Sequence, residues 1–147
     1  MKKFVLVAAI AGSLVSGQAI AACTNARLNA ASIRALLGNN TVCVPAVTAN
    51  PMTWQELHVG ASGGDLIDYK RGPPPGETVD PSKTVGTWSV SPNGTGTGSN
   101  STVTHNYGSG GTFTYTVHGS GIVGSNHSFC VGATEIVGRV KSGGGPC

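Results

Sequence analysis

The sequence predicts a mainly β fold: an antiparallel meander of about seven or eight short strands, closed into a small barrel or a curved sheet, with one N-terminal helix. Three observations point there. Short segments of alternating apolar and polar residues follow one another closely, each bounded by Gly, Pro, Asn or Ser. Charged residues are only 10% of the chain while Gly contributes 23 of 147 residues, a balance that suits turns and strands rather than a helical bundle. The one stretch with helical spacing stands near the start and is closed by Gly38-Asn39-Asn40.

Taken in order, the chain opens with Lys2 and Lys3, an apolar run from Phe4 to Val15, and then Gly17-Gln18-Ala19-Ile20-Ala21, a polar step into a small-x-small site. This is the order of a cleavable secretory signal, bacterial in style. An apolar run of 12 residues falls short of the roughly 20 that cross a bilayer. Cleavage is expected after Ala21, which makes residues 1–21 a signal peptide and 22–147 a single exported domain, periplasmic or extracellular. Ile20-Ala21-Ala22-Cys23 also has the look of a loose lipoprotein box, which would place lipid on Cys23. The cysteine count argues against that reading, because Cys23, Cys43, Cys130 and Cys147 make an even set in an exported chain and suggest two bridges.

Four cysteines allow three pairings. Cys23–Cys43 and Cys130–Cys147 are expected, since each pair encloses a short loop within its own end of the chain. No CxxC occurs, so a zinc site is set aside.

The helix is carried by Leu28, Ile33, Leu36 and Leu37, and Thr41–Val44 reads as the first strand. Strands follow at Thr53–Val59 and Leu66–Lys70, with Gly60 to Asp65 as a turn. Arg71 to Lys83, with its Pro73-Pro74-Pro75-Gly76 run and Pro81, reads as an exposed loop, because proline offers no amide donor to a sheet. Val85–Val90 is a strand. Thr102–Tyr107 and Thr112–His118 form a hairpin across Gly108-Ser109-Gly110-Gly111, and Ser128–Val131 and Thr134–Val140 complete the sheet.

Removing Lys2 and Lys3 takes the formal charge from +3 to +1, which gives no electrostatic case for nucleic acid or an anionic membrane. No GxSxG, no phosphate-binding glycine loop and no HExxH occurs, so no catalytic residues, metal ligands or cofactors are assigned. The hairpin has one aromatic and aliphatic face and one threonine face, the pattern of a half-buried sheet. The threonine face also resembles those of ice-binding proteins. His105 is out of place on the apolar face, and Trp54, Glu56 and His58 share a face of their strand. Convergence of His58, His105 and Glu56 on a metal is one reading; acid–base work by Glu56 and Asp68 beside a histidine is another.

The stretches Leu36-Leu37-Gly38-Asn39-Asn40-Thr41-Val42-Cys43, Trp54-Gln55-Glu56-Leu57-His58, Asp68-Tyr69-Lys70-Arg71-Gly72-Pro73 and Val85-Gly86-Thr87-Trp88-Ser89-Val90 resemble a group of small secreted bacterial proteins of unknown function. That resemblance implies a self-contained exported domain and carries no activity. Gly86-x-Trp88 is also similar to the Gly-x-Trp of lipocalin-like barrels, where it sits in the first strand after a short helix. The expected function is non-enzymatic: an exported β domain that binds a small molecule or an envelope protein. Trp54, Trp88, Phe113 and Tyr115 would be apolar walls, with Glu56, His58 and His105 as the polar lining. The alternatives are a structural or interaction protein without a pocket, using the Pro73 to Pro81 loop, and a small hydrolase or metal-binding protein.

Overall fold

The computed structural model describes residues 23–45, 54–69, 82–92 and 100–147. The expected signal peptide and residues 71–81 of the proline loop lie outside the described residues, and Lys83, the last residue of that expected loop, is instead the first of a strand.

Helix α1 (Ala30–Leu37) precedes eight strands: β1 (Thr41–Val44), β2 (Trp54–His58), β3 (Gly63–Asp68), β4 (Lys83–Ser91), β5 (Thr102–Asn106), β6 (Thr112–Gly119), β7 (Asn126–Val131) and β8 (Thr134–Lys141). Each strand pairs antiparallel with the next, and β8 returns to β1, with Val42 opposite Val140, to close the barrel. The strand positions follow the sequence reading closely. One difference is that β3 begins at Gly63, inside the stretch read as a turn, because Gly63, Gly64 and Asp65 pair with Ser89, Trp88 and Thr87. Glycine offers no side chain to pack, so composition marks a turn where the backbone in fact continues a ladder.

Helix α1 plugs one end. Asn29 caps it by accepting the Ser32 amide at 2.9 Å. Its buried Ala30, Ile33, Leu36 and Leu37 join the core formed with Leu66, Trp88, Val90, Val103, Val117 and Phe129. At its C-terminus the left-handed turn falls on Asn39, with φ 57°, and not on Gly38. The Asn39 carboxamide accepts the Gly60 amide, while Asn40 donates to the Leu36 carbonyl and accepts the Gly143 amide. Arg27 donates to the Ser101 carbonyl and Arg34 to the carbonyls of Val90 and Pro92, so the helical segment is fastened to the β4–β5 side.

The disulfides correct the sequence expectation. Cys23 bonds to Cys130 and Cys43 to Cys147, spanning 107 and 104 residues. The reason is barrel closure. Cys43 lies on β1 directly across from Arg139 of β8, and the tail after β8 folds back over the β1–β2 surface. There the Cys147 amide donates to the Gln55 carboxamide oxygen at 2.7 Å, and Thr41 donates to the Gly143 carbonyl at 2.9 Å. Cys130 lies on β7 across from Thr116 of β6. The segment ahead of α1 runs beside the end of β6, where Arg27 bridges to His118, and so delivers Cys23. With Cys23 bound to Cys130, its sulfur is not free to carry lipid.

Candidate functional site

An eight-stranded barrel is just wide enough for side chains to fill its interior. Here the fill is polar and aromatic toward the end opposite α1. On β2, Trp54, Glu56 and His58 alternate inward. On β3 the inward positions are Leu66 and Asp68, on β4 Trp88 and Val90, on β5 Val103 and His105, and on β6 Tyr115 and Val117.

β2 and β5 are not neighbours in the sheet, so contacts between them pass through the interior. His58 Nε2 lies 3.0 Å from His105 Nε2. The other nitrogen of His58, Nδ1, lies 3.3 Å from the Glu56 carbonyl oxygen. His105 Nδ1 lies 3.3 Å from the Tyr107 hydroxyl, which donates to Glu56 Oε2 at 2.8 Å. Rings enclose this polar circuit. Trp54 meets His105, Tyr115 and Phe129 at centroid distances of 5.7, 6.3 and 6.2 Å, Trp88 meets His58 at 5.1 Å, and Tyr115 meets His105 at 5.2 Å. The Trp88 indole N–H donates to the Val59 carbonyl at 2.8 Å, so this core tryptophan leaves no unpaired polar group.

Burial sets the protonation states. Desolvation lowers His58 from 6.5 to about 4, against the opposing hydrogen bonds to the backbone of Glu56 and Asn40. Desolvation, then the proximity of His58, lowers His105 well below its ordinary value. Both imidazoles are therefore neutral near pH 7. Tyr107 is pushed far up, first by burial and then by Glu56, whose carboxyl is both a nearby charge and its hydrogen-bond partner; Tyr115 and Asp68 add to the shift. Tyr115 is raised by burial and by Glu56.

Of the residues expected to line a pocket, Trp54, Glu56, His58, Trp88, His105 and Tyr115 are gathered inside the barrel. Phe113 is not a buried wall. It is 43% exposed at the rim, where it packs edge-on against Tyr107 at 5.9 Å, because β6 begins there and the hairpin bends away at Gly111. His58, His105 and Glu56 do converge, but as a hydrogen-bonded circuit. Among the described residues no group of three His, Cys, Asp or Glu side chains is arranged to hold a metal ion. Glu56 and Asp68 stand directly opposite each other on β2 and β3. His105 Nδ1 is 3.9 Å from Glu56 Oε2, beyond hydrogen-bond reach, with Tyr107 bridging them. The sequence reading missed Tyr107 and Phe129 as members of the cluster. Tyr107 was findable as the residue two positions after His105 on the same face.

The threonine face is on the outside, where Thr104 of β5 and Thr114 of β6 share a hydroxyl–hydroxyl bond of 3.0 Å. No helix among the described residues is long and apolar enough to cross a membrane. The chain matches no family of known proteins, no curated protein and no solved structure.

Proposed function

We propose that this chain is an exported, non-enzymatic binding protein that takes a small ligand at the barrel end opposite α1. The reading is carried by one observation. The barrel concentrates Trp54, Tyr107 and Tyr115 with Glu56 and Asp68 at that end, while the end at α1 is closed by apolar side chains. Aromatic walls with a few convergent polar groups are the usual make-up of a small-molecule site. Trp54 and Tyr107 are half-buried there, and exposed Phe113 extends the aromatic surface to the rim. Two long-range disulfides fit an oxidising destination, and the N-terminal sequence fits a cleaved signal. His58, His105 and Trp88, deeper in the barrel, serve as the packed floor.

A second reading is favoured by the completeness of that floor. His58, His105 and Phe129 are wholly buried and packed ring against ring, as in a solid core. In this reading the protein presents surfaces to an envelope partner and holds no ligand.

Native mass spectrometry of the oxidised protein, purified from the periplasm of an expressing bacterium, separates the two. A non-covalent adduct that is lost in Trp54→Ala supports the ligand reading. The bare chain, with no adduct in several preparations, overturns it. The same spectrum tests export, because processing after Ala21 gives a chain that begins at Ala22.

A further inference from the structure

The facing nitrogens of His58 and His105 carry a mismatch that follows from their other partners. His58 Nδ1 lies 3.3 Å from the Glu56 carbonyl oxygen, which only accepts, so the His58 proton is on Nδ1. Tyr107 has one hydroxyl proton and donates it to Glu56 Oε2 at 2.8 Å. Its oxygen is then an acceptor for His105 Nδ1 at 3.3 Å, which places the His105 proton on Nδ1 as well. Glu56 enters only as the acceptor that fixes the Tyr107 proton, whatever else its carboxylate binds. Both rings are neutral, so each has a single proton to place. Both Nε2 atoms therefore bear lone pairs, and these face each other at 3.0 Å.

Two lone pairs at that distance repel unless an electrophile lies between them. A proton there would make an imidazolium where neither ring meets solvent, and burial lowers both histidines against that outcome. A metal ion is the other electrophile. Neutral imidazole is the commonest metal ligand among side chains, and a ligating histidine donates its second N–H to a carbonyl or carboxylate that fixes its tautomer. His58 does this to the Glu56 carbonyl. His105 does it to Tyr107, which in turn donates to the Glu56 carboxylate.

We propose that His58 Nε2 and His105 Nε2 are the two protein ligands of one soft monovalent cation of the copper(I) class, held in the barrel interior. The site does not depend on the ligand proposed for the barrel end opposite α1.

Ligand number and charge select the class. Among the described residues no group of three His, Cys, Asp or Glu side chains is arranged around an ion, whereas structural zinc takes four ligands and calcium or magnesium takes oxygen. A single charge also costs less than two to bring into a site without water. Imidazole suits copper, and the filled d shell of copper(I) or silver(I) accepts two nitrogen ligands. A metal–nitrogen bond is about 2 Å, so the 3.0 Å separation suits a bent arrangement, and a linear one needs the rings to part by about 1 Å. Trp88 stands edge-on to His58 at 5.1 Å, Trp54 edge-on to His105 at 5.7 Å, and Tyr115 tilted against His105 at 5.2 Å. This shell of rings excludes water and competing oxygen ligands.

Silver(I) nitrate, which needs no protection from air, is the first probe, added in chloride-free buffer to the full, oxidised protein. Native mass spectrometry is expected to show one silver ion retained per chain. Imidazole nitrogen NMR is expected to show both His58 and His105 as Nδ1–H tautomers before addition, and both Nε2 signals shifted and split by silver afterwards, with His118 and His127 unmoved. Copper(I), added anaerobically as its acetonitrile complex, should compete for the same place, and zinc(II) should not. No retained silver, silver on His118 or His127 instead, a proton on either Nε2 of the metal-free protein, or displacement of silver by zinc(II) each overturns the proposal. Tyr107→Phe removes the acceptor that orients His105 and is expected to weaken silver uptake about 10–100-fold while His58 keeps its tautomer. Unchanged uptake in that variant removes the lone-pair assignment and overturns the proposal too. If the variant does not fold, the wild-type nitrogen spectrum decides.

Discussion

His58 and His105 meet Nε2 to Nε2 at 3.0 Å across the barrel, from two strands that share no hydrogen bond. One proton can lie between the two nitrogens; two cannot. A second would set two N–H groups against each other or make an imidazole a cation in a site from which burial has already removed water, and that burial is why both imidazoles titrate below their ordinary range.

This pair should make the protein acid-labile. His58 has a folded value near 4 against an ordinary 6.5, so between these values the unfolded chain binds the additional proton. Its stabilising contribution is complete above the unfolded value and disappears as pH falls through the folded one. For His58 alone the swing is about 3 kcal/mol, and His105 adds in the same direction. Urea midpoints measured at intervals between neutrality and about pH 4 should fall steadily, and His58→Asn should flatten the slope.

Tyr107 is the bridge between Glu56 and His105. Tyr107→Phe removes the donor to Glu56 Oε2 in a largely buried site, and the cost is expected at roughly 1–3 kcal/mol. Equilibrium unfolding at neutral pH checks it. An unchanged midpoint would mean that the 2.8 Å contact contributes nothing to the folded state.

The disulfides predict a peptide map in which Cys23 is joined to Cys130 and Cys43 to Cys147. Closing loops of about 100 residues is worth on the order of 4–5 kcal/mol each in the chain-entropy account. Replacing Cys43 and Cys147 together by Ala should lower the unfolding midpoint strongly and speed proteolysis of the tail after Lys141, which this bond holds against Gln55.

Gly86 lies beside the irregularity between Leu66 and Ile67, where β4 also passes close to β5. A Cβ there would stand 2.2 Å from the Asn106 carbonyl oxygen, and that atom belongs to the backbone and cannot swing aside. Gly86→Ala is therefore expected to cost about 1–3 kcal/mol or more, seen as a lowered melting temperature. Gly132→Ala makes a useful comparison, because a Cβ there meets nothing within 4 Å and only its φ of +56° opposes the change.

How the candidate site was legible is clearest at particular residues. His105 stood out because it interrupts an apolar face, and Glu56 and His58 because period-two alternation put them beside Trp54. Tyr107 had the same alternation but closes the circuit only because β2 faces β5 across the interior, a distance relation that no local pattern encodes. Phe113 had the alternation of a core residue and lies at the rim, since a strand's pattern states which face a residue takes but not how far the barrel extends over it.

The amino-acid sequence by itself determined the class and nearly every element: a helix ended by Gly38-Asn39-Asn40, strands in β-branched and aromatic runs, and turns at glycine clusters. These depend on backbone preferences and alternation that act within a few residues. Tertiary structure decided that the sheet closes between β1 and β8, that Cys43 finds Cys147 and Cys23 finds Cys130, and that two histidines 47 residues apart share one proton's place. The physical reason is that closure brings the first and last strands together, and proximity in a barrel is set by strand order and not by separation along the chain.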